Sequence, residues 1–160
     1  MRTKQQKKIV FTEKQKEKLL EWSGYLETTE LSQGQKSLRT QGEEYCCLGI
    51  YIKCVHPEKN WKLSVHYDPN YYIRTGNKWQ DVLLPGKFQK ELGLHRNIYG
   101  GSTLQDCFVD LNDQLNYNFL EIAREIRYLV EYGSFTAETM GKLNEVAMAL
   151  HTNKTMICRS

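Results

Sequence analysis

Apolar residues near the start of the chain repeat with a helical period. Leu19, Trp22 and Leu26 recur at intervals of three and four residues, and Thr12 stands where an N-cap is needed. The pattern predicts a first helix over about residues 12–27. We expect Trp22 to be a core anchor of this helix.

Two further helical patterns follow one another near the C-terminal end. The first begins after Asn118 and ends at Gly133, and the second begins after Thr136. Their apolar positions repeat every 3.6 residues: Phe119, Ile122, Ala123, Ile126, Leu129 and Val130 in the first, and Met140, Leu143, Val146, Ala147 and Leu150 in the second. The short link predicts an antiparallel helical hairpin that frays after about residue 151.

The most apolar run of the chain lies between these ends, at Tyr45–Ile52, and it contains the adjacent cysteines Cys46 and Cys47. Its periodicity fits either a buried helix or a buried strand. We favour a buried helix over about 45–55. It should end at His56-Pro57, because a proline disfavours helical geometry at the residue before it.

The stretch that follows carries a strand pattern. Apolar side chains alternate from Trp61 to Tyr67, which predicts a strand with one apolar face. A second strand over 71–74 follows a turn, and residues 79–84 are either a third strand or part of the path to Pro85-Gly86, which makes a small antiparallel meander. Beyond it we expect a short helix at 88–92.

The next segment is expected to be a loop over 95–102, which leads into another short helix. Thr103 is in position to cap that helix, and Asn112-Asp113 ends it. The side chains of Asn112 and Asp113 could hold a polar ligand, but capping and turn hydrogen bonds are the commoner role of this pair.

These elements predict an α+β fold. A small antiparallel β-meander packs with a buried CCLG helix, an N-terminal helix and a C-terminal helical hairpin. A chain of 160 residues is one domain by size. We expect a basic mobile arm over 1–10, a single α+β domain over 11–151 and a flexible tail over 152–160.

Charge is distributed unevenly over the chain. Residues 1–18 contain seven lysines and arginines against two glutamates, whereas the whole chain has a net charge of +3. Such an arm could bind nucleic acid or an acidic partner. A solvated tail is the simpler interpretation, because the arm has no aromatic platform for bases.

The sequence also indicates a compartment. It has no apolar run of the roughly 18 residues that span a membrane, and no apolar stretch follows the basic N-terminus as in an export signal. Five cysteines are an odd number without regular spacing. We therefore expect no membrane partner and reduced thiols in a cytoplasm.

Metal binding at the cysteine run is not favoured. Cys46, Cys47, Cys54 and His56 lie close together in sequence, but they lack the doubly paired spacing of a structural zinc site. We expect no metal and no cofactor, with the cysteines acting as small hydrophobic core residues.

A cysteine nucleophile is an alternative. If Cys46 or Cys47 lies at a helix N-terminus, backbone N–H groups would stabilise its thiolate. The histidines available as a base are His56, His66, His95 and His151. No residue that would orient the base is indicated, so an enzyme remains the alternative rather than the main prediction.

An anion or nucleotide pocket is the favoured site. Arginine offers a planar fork to phosphate, and tyrosine or tryptophan offers a stacking face. The predicted ligand-binding residues come from the Gly34 loop and the meander: Gln33, Lys36, Arg39, Tyr72, Arg74 and Trp79.

Two further possibilities belong to this anion-site prediction. Arg39 could instead pair with an acidic side chain such as Glu43, Glu44 or Asp113. Separately, Gly100-Gly101-Ser102-Thr103 before a helix could present backbone N–H groups to a phosphate.

Several short motifs occur in an order that resembles a known group. They are Gln33-Gly34 with Leu38-Arg39, Tyr45-Cys46-Cys47-Leu48-Gly49, Leu84-Pro85, Leu111-Asn112-Asp113, and Phe119 with Ile122-Ala123 and Ile126. The pattern is similar to that of small uncharacterised tailed-phage and prophage proteins, over about residues 22–131. In that group a further cysteine often stands where this chain has Ile52.

The resemblance implies a phage accessory protein in the cytoplasm of the bacterial host. Proteins of this kind often counter host defence by binding, so the predicted partner is a host defence protein or a nucleotide-type signal. A homo-oligomer is also expected as one way to build a shared pocket. The alternatives are a cysteine-dependent enzyme and a nucleic-acid binder using the basic arm.

Overall fold

The structure, a computed structural model, describes residues 8–63, 71–75, 78–99 and 102–157. It does not describe the side chains of 74–75, 78–79, 99 and 151–157. The described part has an α+β fold, as the sequence predicts.

Helices make up most of the described part. They are α1 Glu13–Thr28, α2 Cys47–Ile50 continuing as the π-helix Tyr51–Val55, α3 Gly86–Leu92, α4 Leu104–Asp113, α5 Phe119–Tyr132 and α6 Ala137–Ile157. Side chains cap three of them as the sequence predicts. Thr12, Thr103 and Asn118 each form a capping box with the residue three positions later.

The strands are short and form small sheets. They are β1 Ser32–Gln33, β2 Glu44–Tyr45, β3 Trp61–Leu63, β4 Tyr71–Thr75, β5 Lys78–Gln80, β6 Asn97–Tyr99 and β7 Ser102–Thr103. Strands β3, β4 and β5 form the predicted antiparallel meander, and β1 pairs in parallel with β2. The turn 68–70 and residues 65–67 of the predicted first strand lie outside the described residues.

Details of the strand predictions were wrong. Leu63 is 37% exposed, so the face predicted to be apolar is not buried at that position. The third strand ends at Gln80 instead of continuing toward 84. The segment 95–102, predicted to be a loop, contains β6 and leads into its antiparallel partner β7.

The predicted packing of the C-terminal helices against each other was also wrong. The main partner of α5 is α1, whereas α6 contacts α4. Leu143 is buried on α6, but Ala147 and Leu150 are exposed, so among the described side chains of α6 it is the early ones that contribute to the core. Helix α5 buries Ile122, Ile126 and Leu129, and its main partner α1 buries Leu19 and Leu26. Helix α6 continues to Ile157, past the predicted fraying point.

The N-terminal segment joins the domain earlier than predicted. Ile9 and Phe11 are buried, and the Ile9 N–H donates to the carbonyl of Gly133 at 2.8 Å. Gly133 and Gly93 end α5 and α3 in the left-handed conformation (φ 73° and 72°). A Cβ on Gly93 would lie 3.0 Å from the Phe11 ring, so the segment lies against both helix ends.

The run from Tyr45 to Ile52 is the centre of the core. It is helical from Cys47 onward, as favoured, and each of its side chains is buried. The Trp22 indole N–H donates to the carbonyl of Cys47 at 2.9 Å, and its ring meets Phe108 edge-on with centroids 5.0 Å apart. Trp22 is thus the core anchor that the sequence predicts.

Candidate functional site

A buried asparagine joins three of the sequence motifs. Asn112 is 1% exposed, and its Oδ1 accepts hydrogen bonds from the Cys47 N–H at 3.1 Å and from Gln33 Nε2 at 2.9 Å. Its Nδ2 donates to the carbonyl of Gly34 and to Asp113 Oδ1, both at 2.8 Å. Asn112 therefore holds the QG segment, the CCLG helix and the end of α4 in one arrangement.

The two cysteines of the run are structural. Cys46 is the N-cap of α2, and its sulfur accepts from the Gly49 N–H at 3.4 Å. Burial nevertheless raises the pKa of Cys46 to about 12 and raises the pKa of Cys47 well above its usual range. Desolvation outweighs the helix N-terminus here, so neither thiol is ionised at neutral pH.

An arginine enclosed by aromatic rings forms the most distinctive polar feature near the meander. The Arg39 guanidinium carbon lies 3.8 Å from the ring centroid of Tyr71, 5.5 Å from Tyr45 and 5.6 Å from Trp61. The Tyr71 N–H donates to the Arg39 carbonyl at 3.2 Å, which ties β4 to this segment. Only 14% of the Arg39 side chain is exposed. We call this group the arginine site.

A glutamate occupies the arginine site as its counter-ion. Glu43 Oε2 accepts from Arg39 Nη2 at 2.6 Å, and Oε1 accepts from the Tyr71 hydroxyl at 2.9 Å. These hydrogen bonds, that from Arg39 foremost, lower the pKa of Glu43. Glu43 has a left-handed backbone (φ 63°), and its side chain is 54% exposed. Arg39 therefore pairs with one of the acidic residues anticipated from the sequence.

One donor of Arg39 has no partner among the described residues. Its Nε is buried and makes no hydrogen bond there. A buried unpaired donor normally costs about 1–3 kcal/mol, so a native structure seldom retains one without a reason. A bound acceptor at Nε would remove this cost.

The structure divides the predicted ligand-binding residues between separate places. Gln33 donates to Asn112 and to the Tyr117 carbonyl, while Lys36 is held through its backbone N–H by Asp113 Oδ1 at 3.1 Å. Arg39 reaches the meander at Tyr71, but Tyr72 is the next residue of β4 and faces the other side of the strand.

The remaining two predicted residues are described only through their backbone. Arg74 and Trp79 are register partners across β4 and β5. Their side chains lie outside the described part of the chain. Of the predicted set, Arg39 alone is seen in an aromatic environment.

The helix end of the phosphate site predicted before α4 is already occupied by protein acceptors. The first three amides of the helix are already used: Leu104 N–H donates to the Arg96 carbonyl, Gln105 N–H to the Leu94 carbonyl, and Asp106 N–H to Thr103 Oγ1. The Thr103 N–H also donates, to Asp106 Oδ2, so none of these four described amides is left for a phosphate. Gly100 and Gly101 lie outside the described residues.

The side chains around His56 form a cluster that the sequence analysis does not predict. His56 Nε2 lies 2.7 Å from Glu91 Oε1, which also accepts from the Tyr51 hydroxyl, and the His56 ring lies against Phe88 with centroids 4.4 Å apart. Burial lowers the pKa of His56 and raises the pKa of Glu91. Cys46 and Cys47 do not have His56 as a hydrogen-bond partner, so the cluster does not form a thiol–base pair.

The described residues offer neither a metal-binding cluster nor a membrane-spanning helix. They contain no group of three or more His, Cys, Asp or Glu side chains placed to hold a metal ion. They also include no helix long and apolar enough to cross a membrane. The histidines His66 and His151, named above as bases, fall outside the described side chains.

Sequence reasoning missed residues that now define the arginine site. Tyr45 belongs to the predicted buried helix, Trp61 and Tyr71 to predicted strands outside the listed site residues, and Glu43 is one of three acids that the sequence offers to Arg39. The spacing of Arg39 and Glu43, with Gly42 between them in a turn, was the available signal. Contact with Tyr71 could not be anticipated, because it depends on how the meander packs.

Comparison with known proteins identifies neither a family nor a function for this chain. No family model, no curated protein and no solved structure matches this chain.

Proposed function

We propose that the protein is a phage accessory protein that acts by binding, and that it counters host defence by capturing a nucleotide-type signal at the arginine site. The single observation that carries the ligand class is Arg39: a largely buried guanidinium against aromatic rings, with an unpartnered Nε among the described residues. The phage role is proposed from the order of motifs alone.

A phosphate would exchange with Glu43. The glutamate is more than half exposed, and an ion pair with such exposure is worth about 1 kcal/mol or less. A phosphate carries more charge and can accept from two nitrogens of the guanidinium fork at once. Half-buried Trp61, 5.6 Å from the Arg39 guanidinium carbon, offers a ring face for a base.

The buried thiols support binding over the cysteine-enzyme alternative. Both are protonated at neutral pH because burial raises the pKa of each. Nucleic-acid binding through the basic N-terminal arm is less favoured, because Ile9 and Phe11 are buried in the core and shorten the part of the arm that could reach a partner. Residues 1–7 lie outside the described part of the chain.

A nucleotide panel tests the proposal. Purified protein is titrated calorimetrically with mononucleotides, cyclic mononucleotides and cyclic dinucleotides, alongside Arg39→Ala and the control Arg127→Ala. Arg127 is also paired with a glutamate, Glu27, at 2.7 Å, but on α5 away from the arginine site. We expect one nucleotide class to bind, with affinity reduced at least about tenfold by Arg39→Ala and unchanged by Arg127→Ala. Equal binding by both variants would refute the site.

A further inference from the structure

Two buried polar side-chain atoms have no hydrogen-bond partner among the residues that the structure describes. One is Arg39 Nε in the arginine site, and the other is Oε1 of Gln80, the last residue of β5. The first is a donor and the second is an acceptor. A buried carbonyl oxygen without a donor carries the same kind of desolvation cost as a buried N–H without an acceptor. The two atoms therefore call for complementary partners.

The strand register places both side chains over one face of the meander. Ile73 is paired with Trp61 on β3 and with Gln80 on β5, and directly paired residues have their side chains on the same face. Tyr71 lies two residues before Ile73, so its ring shares that face. The Arg39 guanidinium packs against the rings of Tyr71 and Trp61. It therefore lies on the side of the meander that carries Gln80.

Backbone hydrogen bonds bring Arg39 to the end of the meander where Gln80 lies. The Leu38 N–H donates to the carbonyl of Asp81 at 2.5 Å. Leu38 directly precedes Arg39, and Asp81 directly follows Gln80. The Tyr71 N–H donates to the Arg39 carbonyl at 3.2 Å. Arg39 is thus held between the start of β4 and the end of β5, beside Gln80.

The two unpaired atoms do not satisfy each other. A hydrogen bond from Arg39 Nε to Gln80 Oε1 would remove both costs, yet neither atom makes one. Arg39 is held instead by the Glu43 carboxylate and the Tyr71 ring. A molecule with an acceptor and a donor close together would satisfy both atoms at once. A nucleotide has this chemistry, since its phosphate oxygens accept, and its ribose hydroxyls and the amino group of its base donate.

We infer that Gln80 is the second recognition residue of the arginine site, and that its Oε1 accepts a hydrogen bond from a ribose hydroxyl or from the amino group of the base. This inference rests on the proposed function, because it concerns the nucleotide whose phosphate binds Arg39. Gln80 and Trp61 are only half-buried, and the Glu43 side chain is 54% exposed, so solvent borders this face. A nucleotide without the donor leaves Oε1 unpaired in the complex, and a site built to hydrogen-bond a ligand group rejects analogues that lack it.

Matched nucleotides identify the donor that Gln80 binds. Each nucleotide that binds is compared calorimetrically with its 2′-deoxy form, with its 3′-deoxy form where that position is free, and with a base analogue without the amino group. The base analogues are inosine for adenosine, xanthosine for guanosine and uridine for cytidine. The native chain should bind one such analogue at least about tenfold more weakly. Loss with a deoxy form identifies a ribose hydroxyl, and loss with a base analogue identifies the amino group.

Gln80→Leu shows whether the discrimination comes from this residue. The variant should bind the preferred nucleotide about tenfold more weakly and should no longer distinguish it from the discriminated analogue. Gln105→Leu is the matched control, because Gln105 is a buried glutamine whose Oε1 already accepts from the Leu84 N–H at 2.9 Å. Measured below its own Tm, the control should keep both the affinity and the discrimination.

Stability of the free protein gives a readout that needs no nucleotide. Gln80→Leu should raise Tm by about 2 °C or more, because it removes an unpaired buried carbonyl. Gln105→Leu should lower Tm, because it leaves the Leu84 N–H without its acceptor. A Tm that Gln80→Leu lowers would mean that Oε1 has a partner in the free protein, and it would overturn the inference.

The outcomes separate this inference from the proposed function. Binding that depends on Arg39 but not on Gln80, or equal affinity for every matched pair, would overturn the role of Gln80 and leave the arginine site standing. A native chain that binds no nucleotide would refute both.

Discussion

Gly49 lies directly against the backbone of Leu38: a Cβ built on the glycine would lie 1.8 Å from the Leu38 carbonyl oxygen and 2.8 Å from its carbon. The same carbonyl accepts from the Cys46 N–H at 3.3 Å, so the LR segment rests on the first turn of α2. Only glycine permits this approach, which gives a physical reason for the glycine of the CCLG run.

Gly49→Ala should therefore destabilise the protein by about 3 kcal/mol or more, since backbone atoms would have to move. Chemical denaturation monitored by tryptophan fluorescence, to which buried Trp22 contributes, measures the change. Gly24→Ala is the matched control, because nothing lies within 4 Å of the added carbon on α1. The control should be neutral or stabilising by up to about 1 kcal/mol. A similar small effect at Gly49 would contradict the packing.

Asn112→Asp should cost about 2–4 kcal/mol although the side chain keeps its shape. The substitution removes both Nδ2 donations and buries a carboxylate next to Asp113. Asn118→Asp makes the same chemical change at the N-cap of α5, where aspartate caps equally well, and should cost almost nothing. Urea unfolding of both variants gives the comparison. If both variants lost the same free energy of unfolding, Asn112 would not be essential for holding the QG segment to the CCLG helix and α4.

Thiol labelling should separate the cysteines by burial. At pH 8, brief iodoacetamide treatment of native protein should modify half-buried Cys54 before Cys46, Cys47 or Cys107, as read by peptide mass mapping. Burial raises the pKa of both Cys46 and Cys107 to about 12, so raising the pH to 9 should not expose their thiolates. Denatured protein should label at all sites. Rapid native labelling of Cys46 or Cys47 would revive the nucleophile hypothesis.

Asp110 should make stability depend on pH. Burial, with smaller contributions from Asp106 and Asp113, raises its pKa to about 6 from the ordinary 3.8. The folded state therefore binds the proton more tightly than the unfolded state, and the stabilisation present at low pH is lost as pH rises from about 4 to 6.

Asp110→Asn should accordingly stabilise the protein at pH 7 by about 1 kcal/mol, a value reduced for the partial exposure of the side chain. The gain should shrink as pH falls toward 4, where the native carboxyl is already neutral. Thermal unfolding at a series of pH values measures it. A gain that stays constant with pH would indicate a packing effect instead.

Glu43→Gln should have opposite effects on binding and on stability. Losing the resident carboxylate should raise affinity for the nucleotide found in the panel about fivefold, because the ligand no longer displaces an ion pair. The same change should lower the free energy of unfolding by about 1 kcal/mol or less. Calorimetric titration and denaturation of the one variant give both numbers. Reduced affinity would mean that Glu43 belongs to the ligand contact.

Local signals predicted much of the helical structure. The cap residues and apolar stripes gave α1, α4 and α5, because capping and periodicity act within a few residues. Pairing of α5 with α1 could not be predicted from the short link to α6, because the choice depends on the buried area that each face finds across the chain. Docking of Ile9 on Gly133 depends on distant partners in the same way.

The candidate sites were only partly predictable for the same reason. Arg39 was identified from its chemistry, but its aromatic partners come from the meander, which is separated from it in sequence by the CCLG helix. Gln33 was assigned to a phosphate site, whereas its orientation is set by Asn112 from the far end of α4. Single-residue chemistry suggests a candidate, and tertiary packing decides which groups it faces.

The most direct test of the binding account is native mass spectrometry of protein purified from phage-infected and uninfected bacteria. We expect the native chain and Arg127→Ala to carry a phosphate-bearing ligand of nucleotide mass in at least one condition, and Arg39→Ala to carry none. A native chain with no ligand in either condition, or a ligand that Arg39→Ala retains, would contradict it.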